Sequence, residues 1–359
     1  MITEYHTNSR PFQLSEQQFD RRAKVFRKTR HLNGMARLLN TTPQTLFVLS
    51  KARHYHTFRV PKPNGKTRLI ENPNPALKKL QQRIAFYLQA VYHRERPDCA
   101  YGFIRSTTDD ANDPRNIYTN ALQHIESKWV LNADLKDFFH SIDYRRIRTL
   151  FRRLPFRFTC EAAGCLTGIV TYRGRLPMGA PSSPVLSNLV CLGLDRDLVD
   201  LAKKHGWIYT RYADDLTFSA GRKFSKKQIL DLREVIQRHD FRVNERKWKC
   251  TKRSKGKHPE VTGLILKNKK PDVKPEFLVA LRRDIDIFHY LSTAEMRRKK
   301  IISKEGMERF RRSILGQINF VGFVKGDHHK TYHRLRSRMK LSNRLKSKKR
   351  SSLVTEFSL

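Results

Sequence analysis

Tyr212-Ala213-Asp214-Asp215 sets two adjacent carboxylates in a tight turn between two β-like apolar runs, in a chain that is otherwise strongly basic. Neighbouring carboxylates repel, and both stay ionised only where something positive neutralises them. Hard oxygen donors of this kind suit Mg²⁺. A hairpin turn also favours Asp for backbone reasons alone, so the tetrapeptide by itself leaves both readings open. Asp134 decides between them. It ends the apolar run Trp129-Val130-Leu131-Asn132-Ala133, where an unpaired carboxylate is costly, and Asp137 follows in the next turn. One acid from a strand end and one from a hairpin can hold two metal ions roughly 3.5–4 Å apart, as phosphoryl transfer requires. One ion then activates an attacking hydroxyl and the other stabilises a leaving pyrophosphate.

These acids need a scaffold, and the surrounding pattern supplies one. The apolar run at Trp129 reads as a buried strand, and Trp207 to Ala220 as two strands joined at Ala213-Asp214-Asp215. A helix begins near Asp143, with Ile147, Leu150, Phe151 and Leu154 on one stripe. Leu176 to Pro184, rich in proline and carrying Gly179, forms a stiff segment able to pass close to a base pair. Ser182-Ser183-Pro184 then opens a helix running through Leu194 towards Gly206. Nearer the N-terminus, residues 20–38 are basic and helix-like, and Thr41-Thr42-Pro43 caps a further helix. Phe58 to Ile70 reads as strand, turn and strand, and Pro75 to Tyr92 as a helix. Another amphipathic helix carries Ile229, Leu232, Val235 and Ile236, and a strand lies near Val261 to Leu266. From Lys274 the pattern is helical, with Phe277, Leu281, Ile285 and Phe288 on one stripe, and His333 to Arg350 is nearly all Lys, Arg, Ser and Leu. The fold class is α/β with a helical appendage.

Composition narrows the partners. The 359 residues hold 74 Lys and Arg against 33 Asp and Glu, a formal net charge of +41. Such a charge calls for a polyanion, with nucleic acid ahead of an anionic membrane surface. The 21 Phe, 12 Tyr and 3 Trp suffice to build cores. No stretch approaches the ~18 apolar residues of a membrane span, and the N-terminus shows no signal-peptide pattern. Five scattered cysteines without a CxxC pair fit free thiols in a reducing, cytoplasmic setting. Cys160 and Cys165 lack further ligands at zinc-site spacing.

Asn132-Ala133-Asp134-Leu135-Lys136-Asp137-Phe138-Phe139, Pro177 to Pro184, and Tyr212 to Asp215, in this order, resemble the catalytic motifs of reverse transcriptases. Asn244-Glu245-Arg246-Lys247 resembles the Asn-x-x-Lys step that follows them. Asn120-Ala121-Leu122-Gln123-His124 resembles the NAxxH signature of bacterial retron reverse transcriptases, and Val261-Thr262-Gly263 their VTG triplet. The resemblance extends from about residue 35 to residue 320.

The resemblance implies a right-hand polymerase with fingers, an α+β palm and a helical thumb. The expected divisions are a basic helical extension over 1–50, fingers with part of the palm over 51–127, and palm over 128–268. Within the palm, 163–206 is shared with the fingers. A helical thumb and RNA-binding region follows over 269–335, and a basic tail over 336–359. By the same resemblance Asp134, Asp214 and Asp215 form the catalytic triad. They hold two Mg²⁺ ions (Mn²⁺ as a substitute), with Leu135 offering a backbone carbonyl. Lys66 and Arg68 grip the incoming triphosphate. Phe139 is the bulky gate against a ribose 2′-hydroxyl, and Lys247 a general acid towards pyrophosphate or a plain nucleic-acid contact. Asp137, Met178 and Gly179 complete the nucleotide-binding set. Met178 stands where relatives usually carry Gln, which makes it a packing contact without the amide's hydrogen bonds. Asn120, His124, Val261, Thr262 and Gly263 are the expected RNA contacts.

Functionally, the resemblance implies an RNA-directed DNA polymerase of the bacterial cytoplasm. It would copy a dedicated structured non-coding RNA into branched msDNA from dNTPs, priming from a guanosine 2′-hydroxyl. A separate effector protein would complete an anti-phage system, with no membrane partner. The competing readings are an inactive polymerase-like RNA-binding scaffold and a group II intron or diversity-generating enzyme.

Overall fold

The computed structural model describes residues 14–51, 55–61, 65, 67–112, 114–267, 269–293, 296 and 302–340. Contacts divide the chain into two units, Phe12–Thr262 and Gly263–Leu359, the latter with Met1–Pro11. This division falls ahead of the expected 268/269 boundary, because the hairpin of Leu264–Lys267 and Lys270–Asp272 spans that boundary and goes whole with the smaller unit.

In the larger unit, Ser15 caps α1 (Glu16–Lys28) through a reciprocal capping box with Gln18. Helices α2 (Leu32–Leu38) and α3 (Pro43–Lys51) follow, with the Thr42 hydroxyl accepting from Thr45 N at 3.1 Å. Strands β1 (Tyr55–Pro61) and β2 (Thr67–Pro73) form an antiparallel hairpin, and Asn74 caps α4 (Pro75–Glu95). Next come α5 (Ile117–Leu122), β3 (Trp129–Asp134) and α6 (Tyr144–Arg152), the last capped by Asp143. The expectation had not included α7 (Cys160–Val170), whose side chains are buried almost all round, so that it shows no amphipathic period.

After the proline-rich segment, α8 (Ser183–Val190) and α9 (Leu192–His205) stand where one helix was expected; they break at Cys191. Ser182 makes no side-chain cap bond. Instead the Ser183 hydroxyl donates to Pro177 O at 2.7 Å, folding the segment back on itself. Gly206 ends α9 in the left-handed conformation, φ 65°. Strands β4 (Ile208–Tyr212) and β5 (Asp215–Ala220), helix α10 (Lys226–Arg238), and strands β6 (Lys249–Lys252) and β7 (Glu260–Val261) complete the unit. A four-stranded antiparallel sheet runs in the order β4-β5-β3-β6. Its central strand β3 buries Val130, Leu131 and Ala133, and Leu131 and Ala133 share one core with Leu186, Leu194, Leu198 and Phe218.

In the smaller unit, Leu264–Lys267 and Lys270–Asp272 form a hairpin. Helices Pro275–Leu291, Lys304–Lys325 and 330–340 share a core of Leu281, Ile285, Phe288, Ile314, Ile318, Val321 and Leu335. The expected stripe from Phe277 to Phe288 is thus the face that packs. The strongly basic stretch from 341 lies outside the described residues. Among the described residues no helix is long and apolar enough to cross a membrane.

Candidate active site

The register of β3 against β5 pairs Asp134 directly with Asp215. Leu135 N donates to Asp214 O at 3.0 Å, so the main chain joins all three acids where the two strands end. Asp134 is buried. Asn244 embraces it: its backbone N donates to Asp134 O at 2.7 Å and its side-chain Nδ2 to Asp134 Oδ1 at 3.1 Å. Lys247 Nζ donates to the other oxygen, Oδ2. The Asn-x-x-Lys segment therefore closes around the strand-end acid. Asn244 belongs to the Asn-x-x-Lys motif, in which only Lys247 carries an expected role; the fold puts both on Asp134.

Protein surroundings push the Asp214 carboxyl above the usual range, with the Asp134 charge adding to the effect and Lys247 and Arg68 opposing it. Asp215 reaches solvent, yet desolvation by its neighbours, then the charges of Asp214 and Asp134, push it up to about 7. Burial pulls Lys247 down, but the hydrogen bond and charge of Asp134 outweigh it and hold the ammonium above the ordinary lysine value. The chain's own cations thus under-compensate Asp214 and Asp215, which is donor chemistry that fits a hard divalent cation. Among the described residues, no three His, Cys, Asp or Glu side chains converge as placed on one ion.

The turn bearing Asp214 and Asp215 is held from beneath. Ala213 sits at φ 59°, where non-glycine residues are uncommon. A Cβ on Gly102 would lie 2.5 Å from Ala213 N, so only glycine lets the neighbouring chain approach this closely. Arg211 is fully buried and donates to both oxygens of Asp195, to Asn188 Oδ1 and to Ala213 O. Asn188 in turn donates to Gly102 O at 2.9 Å.

A second brace joins the β1–β2 hairpin to the proline-rich segment. Glu71 on β2 is buried and accepts two bonds from Arg175 at 2.9 and 3.0 Å, and it lies 3.2 Å from His140 Nε2. Its backbone N donates to Met178 O at 2.7 Å. Burial would raise its pKa, but Arg175 outweighs that and holds the carboxyl low. Gly179, at φ 125°, brings its Cα so close that a Cβ would meet Glu71 O at 2.9 Å. Met178 is half-buried, Asp137 is exposed at φ 48°, and Phe139 is half-buried against Phe103 and Phe138. Leu135 is buried and bridges to Val243. Arg68 is half-buried on β2, and Lys66 lies outside the described residues.

The expected RNA contacts need correction. Asn120 and His124 are fully buried, and Val261 likewise. His124 spans Ser219 Oγ and Thr210 Oγ1, each at 2.7 Å, and so joins the segment after α5 to β4 and β5. Burial pushes its pKa down to about 3, so the ring is neutral. The Thr262 hydroxyl nevertheless donates to Ile117 O at 3.2 Å, which ties the VTG segment to the start of α5, the helix that bears Asn120. Thr262 is half-buried and Gly263 exposed, which leaves these two of the five available to a ligand.

The family profile described as "Reverse transcriptase (RNA-dependent DNA polymerase)" matches residues 60–275. "Retron Mx162 reverse transcriptase" of Myxococcus xanthus is 34% identical over 288 residues, covering 72% of this chain and 55% of that protein. "Retron Mx65 reverse transcriptase" of the same organism is 36% identical over 235 residues, covering 60% and 52%. The chain thus spans about half the length of these two relatives. "Retron Ec86 reverse transcriptase" of Escherichia coli is 31% identical over 264 residues, covering 71% and 77%. With a mixed helix–sheet fold, carboxylates at the ends of two paired strands and these relatives, the chain belongs to the reverse transcriptase family, and within it to the retron reverse transcriptases.

Proposed function

We propose that the protein is an RNA-directed DNA polymerase that copies a dedicated structured RNA into DNA. The observation that carries this reading is the Asp134–Asp215 pair at the shared strand ends, with Asp214 joined to Leu135 through the main chain. Asp134, Asp214 and Asp215, with the Leu135 carbonyl, would hold two Mg²⁺ ions, or Mn²⁺ in their place. When bound, these ions supply charge stabilisation to the attacking and leaving oxygens.

The chain's own residues then divide the remaining work. Arg68, whose charge acts on Asp214, offers a planar guanidinium to the triphosphate of a dNTP; Lys66 is proposed alongside it. Phe139 limits the space beside the sugar, and Met178 packs on the sugar or template base, with Gly179 and Asp137 at its edges. Lys247 carries a proton beside the acids, where it can pass it to departing pyrophosphate.

The finer reading rests on kinship with retron enzymes. The product is branched msDNA, primed from a guanosine 2′-hydroxyl of the cognate non-coding RNA, and a separate effector completes an anti-phage defence system. Thr262 and Gly263 are the residues of the signature segments proposed to meet that RNA. The scaffold alternative has one observation in its favour: Lys247 sits on Asp134 Oδ2. Against it, a binder gains nothing from two carboxyls held above their usual range beside a third acid.

Purified protein with Mg²⁺, its copurified RNA and dNTPs should incorporate labelled nucleotide, and Asp214→Asn/Asp215→Asn should not. No incorporation by the unaltered protein would overturn the polymerase reading. A short DNA covalently joined to RNA should copurify with the active protein. Heterogeneous cellular RNA alone would overturn the assignment of a dedicated RNA and a branched msDNA product.

A further inference from the structure

Helix α1 is two-faced. Phe19, Ala23 and Phe26 are buried, while Arg21, Lys24 and Lys28 line up on an exposed face at spacings of three and four. Like charges at these spacings repel and weaken a helix. A second wall stands opposite, formed by the turn Leu154 to Arg157, with Arg157 exposed at φ 53°. Two bonds brace the walls together: Arg27 Nε donates to Pro155 O at 3.3 Å, and Thr159 N donates to Arg30 O at 3.0 Å. The resulting groove, of about 950 Å³, is lined by seven Lys and Arg and one carboxylate, Asp20.

That carboxylate is already engaged, by Arg94 at 2.6 Å, and Arg27 lies 3.7 Å from Glu95. Among the described residues, no ion pair engages Arg21, Lys24, Lys28, Arg30 or Arg157. An ordinary solvated charged face carries acids interleaved with its bases. Here the fold gathers unpaired cations from separate elements around one braced depression, at a standing electrostatic cost that a polyanion would offset. None of the lining residues belongs to the strands that bear Asp134, Asp215 or Arg68 or to the turn that bears Asp214.

We propose that this groove between α1 and the 154–157 turn is a second nucleic-acid site, which binds the backbone of an RNA duplex apart from the catalytic acids. The lining contains no Phe, Tyr, Trp or His. It therefore offers none of the aromatic platforms on which single-strand sites stack successive bases. Duplex RNA is recognised through phosphates and 2′-hydroxyls, and the Gln17 and Gln18 amides beside the cations suit the hydroxyls. The assignment does not depend on polymerase activity.

The test is site-resolved lysine acetylation of the full-length protein, read by mass spectrometry, with and without a blunt 20-base-pair RNA duplex. The RNA should suppress acetylation of Lys24 and Lys28 at least about fivefold. Unchanged reactivity at saturating RNA overturns the site. Equal protection by a DNA duplex of the same sequence overturns the RNA assignment, and protection by anionic phosphatidylserine vesicles but not by RNA overturns both.

In parallel, Arg21→Gln/Lys24→Gln/Lys28→Gln/Arg157→Gln should bind the duplex at least about tenfold more weakly at ~0.15 M salt. Its log–log salt slope should be shallower by about 3.6, roughly 0.9 for each of the four cations removed. The charge-matched control Lys203→Gln/Lys204→Gln/Lys226→Gln/Lys227→Gln, on exposed residues elsewhere, should leave both values near those of the unaltered protein. Equal losses in the two variants would make the effect one of net charge and overturn the site.

Discussion

Arg211 donates through Nε and Nη2 to both carboxylate oxygens of Asp195, at 2.8 and 2.6 Å, and both side chains are fully buried. Burial alone would pull the Arg211 pKa down, but Asp195 outweighs it and keeps the guanidinium charged. The remaining donor, Nη1, reaches Asn188 Oδ1 at 2.9 Å and Ala213 O at 3.2 Å. Ala213 is the left-handed residue immediately before Asp214. A buried ion pair between α9 and β4 therefore fixes the carbonyl from which the acidic turn hangs.

Removing one partner of such a pair strands a buried charge, and Arg211→Met should lower stability by about 3–5 kcal/mol in chemical denaturation. Arg211→Met/Asp195→Leu should recover part of that loss, since an apolar pair tolerates burial but leaves the Tyr209 hydroxyl without its acceptor. Nucleotide incorporation should stay low in the double variant, because Ala213 O still lacks its donor. Full activity in the refolded double variant would mean that the pair serves the core alone.

Glu71 links β2, which carries Arg68, to Met178. Glu71→Gln weakens the bidentate bond to Arg175 while keeping the volume. KM for dNTP should rise about fivefold or more, roughly 1 kcal/mol of binding, with kcat less affected. A fall in kcat at constant KM would contradict a role in positioning the hairpin over the nucleotide.

Phe139 packs between Phe103 and Phe138, with ring centroids at 5.9 and 5.5 Å, and stays half-buried. Its neighbours limit where the ring can move. Phe139→Ala should raise ribonucleotide use relative to deoxyribonucleotide use by about 10–100-fold, the scale on which a pocket discriminates by one small group. Primer extension with single nucleotides reads this directly. An unchanged ratio would make Phe139 a packing residue.

His124 is neutral in the folded chain, its pKa pushed by burial down to about 3, against an ordinary value of 6.5. Between these values the unfolded chain binds the proton and the folded chain does not. Stability is therefore fully present above about pH 6.5 and is lost as the pH falls towards 3, with a contribution approaching about 1.4 kcal/mol per pH unit. In denaturant titrations, His124→Gln should remove that part of the acid sensitivity while lowering stability at neutral pH. An identical acid profile would show that His124 is not the group responsible.

Much of the site was legible in the sequence because its signals are local. An apolar run ending in Asp134 marks a buried strand that closes on a carboxylate, and an acidic turn between two apolar runs marks a hairpin. Capping and periodicity likewise located most helices, including the one begun by Asp143. The same signals failed at α7, where burial on nearly all sides erases the period, and at Cys191, where no proline marks the break and Gly193 lies inside the next helix. Asn120 and His124 carry polar side chains that suit RNA, and only the fold shows them buried.

The sequence by itself determined the acids, the strands that carry them and the strongly basic character, since these follow from residue type and near-neighbour spacing. The tertiary structure decided which side chains answer one another. Asn244 meets Asp134 across 110 positions, Arg175 meets Glu71 across 104, and α1 faces the 154–157 turn. Such partnerships depend on which surfaces the shared core brings together, and no local spacing encodes that choice.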